Sequence, residues 1–187
     1  ADSIARDVSL NLAAPMILVS GLLGVLGRQD RALKEADAAR MNEEIEWVLT
    51  NNGTETVPAL REELQQSMTD NAGVFRTEET LTKQVQIVKE LRERYKNIRI
   101  DDKSKIYNTE LQEAIEFGHM LDYSLFIVES ALARKESRGA HYREDFTTRD
   151  DENFLKHTMA YMDEEGNITL DYMDVVLGKH ELKARSY

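Results

Sequence analysis

The sequence predicts a mainly α-helical fold: an antiparallel bundle of three main helices, an additional helix before it, and a small β-hairpin with an irregular tail after it. Three observations carry this. Only two prolines and nine glycines interrupt 187 residues, and helix-forming Glu, Leu, Ala, Lys and Arg are abundant. Apolar residues recur at spacings of three and four through several segments. Beyond residue 137 that spacing gives way to a polar stretch and then to alternation. A chain of this length is one domain, or one domain with a tail, and buries roughly 70% of its extended surface.

Composition excludes several functions. Lys plus Arg total 24 against 35 Asp plus Glu, a formal charge of −11. No basic excess exists to release counterions from a phosphate backbone, so a nucleic acid is not an expected partner. The absence of cysteine removes disulfides, iron–sulfur ligation and thiol catalysis by this chain. At 41% apolar and 32% charged, the composition is that of a soluble globular protein.

The first element is the apolar run at residues 12–26, LAAPMILVSGLLGVL. It is short for a membrane span and holds Pro15, Gly21 and Gly24. It reads as a buried helix or a segment docking on something absent from the chain. Gly21, Gly24 and Gly27 do not form a GxGxxG dinucleotide fingerprint. The start at Ala1 suggests a processed product or a fragment.

Residues 31–49 are expected to be helical, with Leu33, Ala36, Met41, Ile45 and Val48 as the apolar stripe. Asn51, Asn52 and Gly53 are turn formers that tolerate positive φ. Pro58 suits a first helical turn, and Leu60, Leu64 and Met68 mark a helix over 58–68. Thr77 is a good N-cap for a helix over 77–97, its face set by Leu81, Val85, Val88, Leu91 and Tyr95. Asn108 caps a long helix over 108–137, with a buried row of Leu111, Ile115, Gly118, Leu121, Leu125, Val128 and Leu132. Gly118 in mid-helix implies a close crossing there, and Gly139 is the expected stop. Residues 156–162 and 168–176 form the hairpin around Glu165, Gly166 and Asn167, and the last ten residues are extended or frayed.

Chemistry-bearing side chains crowd into residues 135–157, KESRGAHYREDFTTRDDENFLKH. Three readings compete. Arg, Asp and Asn side chains satisfy the backbone of an irregular segment or an interface. His141, Asp145, Asp150 and His157 could ligate zinc or iron, but no tight His spacing supports this. His141 or His157 could act in acid–base catalysis. Structural or interface roles are favoured. Residues 163–174 place Gly at the fourth position, where a calcium loop needs it at the sixth, so the turn reading wins. His119 reads as core packing or a helix–helix hydrogen bond, and the aromatic residues look scattered.

The segment ARKESRGAHYREDFTTRDDENFLKHTMAY, residues 133–161, closely resembles the C-terminal domain of the flavoprotein subunit of succinate dehydrogenase and fumarate reductase. That family also includes L-aspartate oxidase and adenylylsulfate reductase. GVFRTEETL (73–81), ELRERYKNI (90–98), YNTELQEAIEFGHML (107–121), DEEGNITLDYMDV (163–175) and the closing KARSY fit the same pattern. The resemblance covers roughly residues 40–187. Residues 1–39 match poorly and read as a remnant of, or linker to, a flavin domain.

The resemblance implies a role in succinate–fumarate oxidoreduction. A proton and a hydride leave succinate, the hydride going to FAD, and electrons pass through an iron–sulfur subunit to quinone at the membrane. FAD belongs to the full-length subunit and is not expected on this chain alone. No catalytic, cofactor or metal residue carries over. The expected partners are the flavin-binding domain and the iron–sulfur subunit, on the cytoplasmic side of the membrane and reaching it only through the complex. The expected interface residues are Arg138, His141, Arg143, Asp145, Arg149, Asp150 and His157. Replacing His141 or Arg143 is expected to weaken assembly and leave the bundle folded. The rival readings are a stand-alone helical binding or assembly protein and the equivalent domain of L-aspartate oxidase.

Overall fold

The computed structural model describes residues 31–163 and 165–179. The apolar run at 12–26, the three N-terminal glycines and the closing KARSY lie outside the described residues. The elements in chain order are α1 (Arg31–Thr50), α2 (Val57–Ala72), α3 (Glu78–Tyr95), α4 (Thr109–Ala133), the single turn α5 (Asp151–Phe154), β1 (Lys156–Met162) and β2 (Ile168–Asp174).

Cross-helix pairs fix the directions. Gln84 near the start of α3 meets Ser67 and Asn71 near the end of α2, and Arg94 at the end of α3 meets Glu63. On the other side Tyr95 reaches Ala114, Arg92 reaches Asp122 and Lys89 reaches Glu129. Thus α3 runs antiparallel to both α2 and α4. The core between them is Leu60, Leu64, Leu81, Val85, Val88, Leu91, Phe117, Leu121, Leu125 and Val128, all buried. One polar network crosses it. Gln84 is fully buried, donates to Ser67 Oγ at 3.0 Å and accepts from Asn71 Nδ2 at 2.9 Å, so no lone polar group stays in the core there.

Helix starts follow the sequence signals closely. Thr77 accepts from the Thr80 N–H and Thr80 Oγ1 accepts from the Thr77 N–H, a capping box. Asn108 accepts from the Leu111 N–H at 2.8 Å. Helix ends follow less well. Residues 58–68 extend to Val57–Ala72, and α4 stops at Ala133 rather than near Gly139. At Arg134 the backbone is extended, and the side chain of a distant arginine takes the orphaned carbonyls, as described below. Gly139 instead turns the chain between Arg138 and His141 at φ 60°.

The buried row of α4 is rotated from expectation in its first half. Ala114 and Phe117 are buried, while Ile115 and Gly118 are only partly so. Tyr95 explains this: its hydroxyl donates to the Ala114 carbonyl at 2.9 Å, and a Cβ on Gly118 would lie 2.7 Å from that hydroxyl. The crossing expected at Gly118 is therefore the tyrosine of α3. Trp47 of α1 packs tilted at 53° against the same ring with centroids 5.4 Å apart, and Phe117 meets it edge-on at 5.9 Å. Aromatics that look scattered along the chain thus join three helices.

Gly53 acts by close approach, not by a left-handed backbone. A Cβ there would stand 1.8 Å from the Asn97 carbonyl oxygen. The Gly53 N–H donates to the Ile98 carbonyl, the Glu55 N–H to Asn97 and the Arg99 N–H to Glu55. This small ribbon buries Ile98 and Ile100, which break the helical spacing and carry no period of their own. Gly53→Ala is expected to cost about 2–3 kcal/mol through forced backbone movement. Urea unfolding measures it, and a loss below about 0.5 kcal/mol, the range of an ordinary surface change, would contradict the close approach.

The hairpin forms as expected, β1 pairing antiparallel with β2 from Lys156 opposite Asp174 to Met162 opposite Ile168. Its second strand ends two residues before the expected limit. Gly166 holds φ 84°, and the Asp163 carboxylate accepts from the Asn167 N–H at 2.7 Å. Arg92 Nη1 of α3 donates to the Gly166 carbonyl at 3.0 Å, which ties the hairpin tip to the bundle. The one-turn α5 falls in a stretch without helical spacing. Asp150 creates it by accepting from the Glu152 and Asn153 N–H groups.

His119 on α4 lies with its Nε2 3.4 Å from Glu44 of α1. The hydrogen bond to Glu44 raises its pKa against the opposing effect of burial, and the Asp122 and Glu116 charges add to the rise. A raised folded pKa stabilises fully below the free value near ~6.5 and is lost as pH climbs through the raised value. His119→Gln should therefore destabilise more at about pH 5.5 than at about pH 8.5. Equal losses at both pH values would remove the ion pair from the account.

Candidate functional site

The charged segment folds back on the helix ends and is held there by two arginine–carboxylate centres. The first is Arg143 with Asp145. Arg143 is 0% exposed, and its Nε and Nη2 donate to Asp145 Oδ1 and Oδ2, both at 2.7 Å. Its Nη1 donates to the carbonyls of Ala131 and Leu132 at 3.2 and 3.1 Å. Those carbonyls belong to the last turn of α4, which lacks helical partners for them. Asp145 Oδ2 also accepts from the Glu78 N–H at 2.8 Å, at the first turn of α3. A cation thus closes the C-terminal end of α4 and an anion the N-terminal end of α3, each opposite the matching helix dipole. The guanidinium stacks on Phe146 at 5.1 Å, and the Glu144 N–H donates to Arg76. The hydrogen bonds from Arg143 hold the Asp145 carboxyl down at about 2.

The second centre is Glu136, also 0% exposed. Burial acts to raise its pKa. Hydrogen bonds from Arg138, from the Asp150 N–H and from Arg134 outweigh that and leave it lowered, so the carboxylate stays charged. Arg138 Nε and Nη2 donate to its two oxygens at 2.8 and 3.0 Å, and Arg134 Nη1 donates at 2.5 Å. Arg134 continues to the carbonyls of Phe154 and Lys156, which anchors the start of β1. Arg138 continues to Asp151 at 2.7 Å, and Arg149 pairs with the other oxygen of that carboxylate at 2.6 Å.

His141 connects the centres. Arg76 Nη1 stands 3.1 Å from its Nδ1, and the Arg134 carbonyl 3.1 Å from its Nε2. A guanidinium only donates and a carbonyl only accepts, so Nδ1 is the acceptor and Nε2 carries the hydrogen. Burial first, and then the charges of Arg76, Arg143 and Arg134, push its pKa down. The ring is a neutral bridge with both nitrogens engaged, which leaves it no free nitrogen for acid–base work.

The seven residues singled out from sequence therefore separate. Arg138, His141, Arg143 and Asp145 meet in these two centres. Arg143 points inward, is fully buried, and each of its three side-chain nitrogens donates within the chain, so it offers no surface to a partner directly. Asp150 caps α5. Arg149 is exposed beside it, and His157 is exposed on β1, opposite Met173. The four side chains considered as metal ligands are not assembled, and among the described residues no group of three or more His, Asp or Glu could hold a metal ion. Sequence reasoning missed Glu136, Arg134 and Arg76. For Arg134 and Glu136 the signal is the mixed charge of RKESR (134–138), Arg76 lies apart in VFRTEE (74–79), and nothing local marks Glu136 as buried.

FAD needs a turn from a parallel strand into a helix N-terminus to cradle its pyrophosphate. The described residues hold one two-stranded antiparallel sheet and do not fit that group. No described helix is long and apolar enough to cross a membrane.

Fold and segment together define a helical domain whose charged C-terminal part is held on the bundle by two arginine–carboxylate centres. A family model described as "Fumarate reductase flavoprotein C-term" matches residues 61–187. The succinate dehydrogenase flavoprotein subunit of Rickettsia conorii is 44% identical over 147 residues, covering 79% of this chain and 25% of that protein. The fumarate reductase flavoprotein subunit of Escherichia coli K12 is 42% identical over 181 residues, covering 91% of this chain and 30% of that protein. A solved structure of E. coli quinol fumarate reductase superposes with a TM-score of 0.77 at 40% identity, over 83% of this chain and 27% of that one. The chain belongs to the succinate dehydrogenase/fumarate reductase flavoprotein family, where it corresponds to the C-terminal domain of the subunit. It spans 25–30% of the length of these two curated relatives.

Proposed function

We propose that this chain is the bracing and docking part of a flavoprotein subunit that interconverts succinate and fumarate. The family match over 61–187, with relatives of both names, carries this reading. FAD and the dicarboxylate are held by the remainder of the subunit. Electrons leave through an iron–sulfur subunit to quinone, and the assembly sits on the cytoplasmic side of the membrane without this chain entering it.

Within that role the seven residues divide their work. Arg149, Asp150 and His157 form the docking surface. Arg138, His141, Arg143 and Asp145 give the surface its shape by fixing residues 136–157 on the bundle. The isolated chain is catalytically silent.

An absorbance spectrum tests the first point. The subunit expressed with its preceding sequence should show the flavin band near ~450 nm and succinate-dependent dye reduction, and the 187-residue chain should show neither. A yellow, active isolated chain would overturn the reading. Arg149→Glu and His157→Glu, made in the whole subunit, should lower its affinity for the iron–sulfur subunit by about tenfold with helix content unchanged. Undiminished copurification would remove this surface from the interface.

A further inference from the structure

The chain holds one Asn–Gly pair, Asn52–Gly53, in the loop between α1 and α2. In an open chain this pair is chemically labile, because glycine has no side chain to keep its backbone nitrogen away from the asparagine amide. The Gly53 nitrogen attacks Asn52 Cγ. That C–N bond forms, the bond from Cγ to Nδ2 breaks, and ammonia leaves with the proton from the Gly53 nitrogen. Water then opens the cyclic imide at either carbonyl. One product is aspartate. The other is isoaspartate, in which the main chain runs through the former side chain.

The fold withholds both reactants. The Gly53 N–H donates to the Ile98 carbonyl at 3.1 Å, which holds the proton that must leave. Gly53 Cα cannot swing toward that carbonyl strand, since a Cβ on it would already stand 1.8 Å from the Asn97 carbonyl oxygen. Asn52 Nδ2 donates to the Thr50 carbonyl at 3.0 Å, which fixes the amide that must rotate to present Cγ. The Glu55 N–H donates to Asn97 at 3.1 Å and the Arg99 N–H to Glu55 at 2.9 Å, so both sides of the ribbon are tied. Ile98 beneath it is fully buried. Asn52 itself is exposed, so water and base reach the pair as soon as the ribbon parts.

We propose that Asn52 is a spontaneous deamidation site gated by this ribbon: it cyclises only when Gly53 parts from Ile98, and its products keep the ribbon from closing again. Isoaspartate inserts an extra main-chain carbon before the Gly53 nitrogen. The Gly53 N–H and the Gly53 Cα then cannot both regain their places against Ile98 and Asn97. Aspartate replaces the Nδ2 donor with a carboxylate facing the Thr50 carbonyl, which sets two acceptors against each other. Each productive opening is recorded permanently at the seam that joins the end of α1, the start of α2 and the end of α3. This inference is independent of the proposed enzyme role.

The test incubates the full 187-residue chain in mildly alkaline buffer and follows Asn52 by peptide mass mapping, with aspartate and isoaspartate separated by chromatography. The native chain should convert about tenfold more slowly, or slower still, than the same chain unfolded in urea. Equal rates would overturn the gate, and no conversion at Asn52 in urea would overturn the site. Ile98→Val thins the seat of the ribbon without touching the Asn–Gly pair and should speed conversion of the native chain by about threefold or more. Val128→Ala, in the core toward the far end of α4, should leave the rate within about twofold. Equal rates in the two variants would show that the ribbon is not the gate and overturn the proposal. Converted chains carry one more negative charge and separate by anion exchange. They should lose amide-exchange protection at Glu55 and Arg99 while amides in the α3 core keep theirs. Unchanged protection at Glu55 and Arg99 would overturn the claim that the ribbon stays open.

Discussion

Arg143→Ala is expected to lower the unfolding free energy by about 3–4 kcal/mol, a Tm drop of roughly 8–12 °C for a domain of this size. The reason is geometric. One buried guanidinium closes the last turn of α4, pairs in a fork with Asp145 and packs on Phe146. Alanine leaves two helix-terminal carbonyls without partners and opens a cavity the size of an arginine. It also releases Asp145 from the position in which it accepts from the Glu78 N–H, so both helix ends loosen. Arg143→Lys keeps the charge but not the fork, and should recover less than half of the loss. A cost below about 1 kcal/mol for the alanine variant, typical of an exposed ion pair, would show that the two helix ends close without this residue. The result separates two roles. A residue that acted only at an assembly surface would leave the isolated domain's stability untouched, whereas full burial and bonds from all three nitrogens to the same chain place the effect in the fold.

The acid behaviour of the same pair has a definite sign. The Asp145 carboxyl is held at about 2 by Arg143, below its unfolded value. Its contribution is complete above the ordinary carboxylate range near ~3.9 and disappears as pH falls from there toward about 2. Asp145→Asn should therefore flatten the acid limb of the stability curve between about pH 4 and about pH 2. Solvent screening at this partly exposed carboxylate keeps the effect well below that of losing Arg143.

Glu136→Ala should cost about 3 kcal/mol, and its signature should lie at the hairpin. Glu136 is itself buried, neutralises the partly exposed Arg134 and Arg138, and accepts from the Asp150 N–H. Without it, two guanidinium groups face each other at the exit of α4, and Arg134 loses the anchor that aims it at the carbonyls of Phe154 and Lys156. Amide exchange in β1 should accelerate more than exchange in the α3 core. Uniform acceleration across both would mean that the hairpin unfolds with the bundle and that Glu136 does not selectively hold it.

These centres explain why a polar, irregular segment of more than twenty residues stays in place without a helical stripe. Its backbone groups are satisfied by its own side chains and by two helix ends, in the manner that buried polar networks require. Fewer of its charges are left for partners than the raw count suggests. Arg149, Asp150 and His157 remain at the surface, and Arg138, His141, Arg143 and Asp145 support them from beneath.

Some of this was legible in the chain alone. Thr77 and Asn108 announce helix starts because a capping oxygen and the N–H it accepts from lie within three residues of each other. The stripe from Leu81 to Leu91 identifies the buried side of α3 because one period governs it, and Glu165, Gly166 and Asn167 mark the hairpin turn because turn formers stand together there. The ESRGAH and RDDEN elements point to the family for the same reason: they are contiguous. Other features depend on residues far apart in the chain. Gly53 is required by the Asn97 backbone, the α4 row is rotated by Tyr95, and α4 ends early because Arg143, ten residues beyond it, takes its carbonyls. Burial of Glu136 and Arg143 could not be read locally, since a charged side chain enters a core only when its partners are already there to replace water. Sequence alone determined where the four long described helices lie and roughly where they begin, but not the single turn α5. Tertiary structure decided which charges are sealed inside, because only packing brings a cation, an anion and two helix ends to one point.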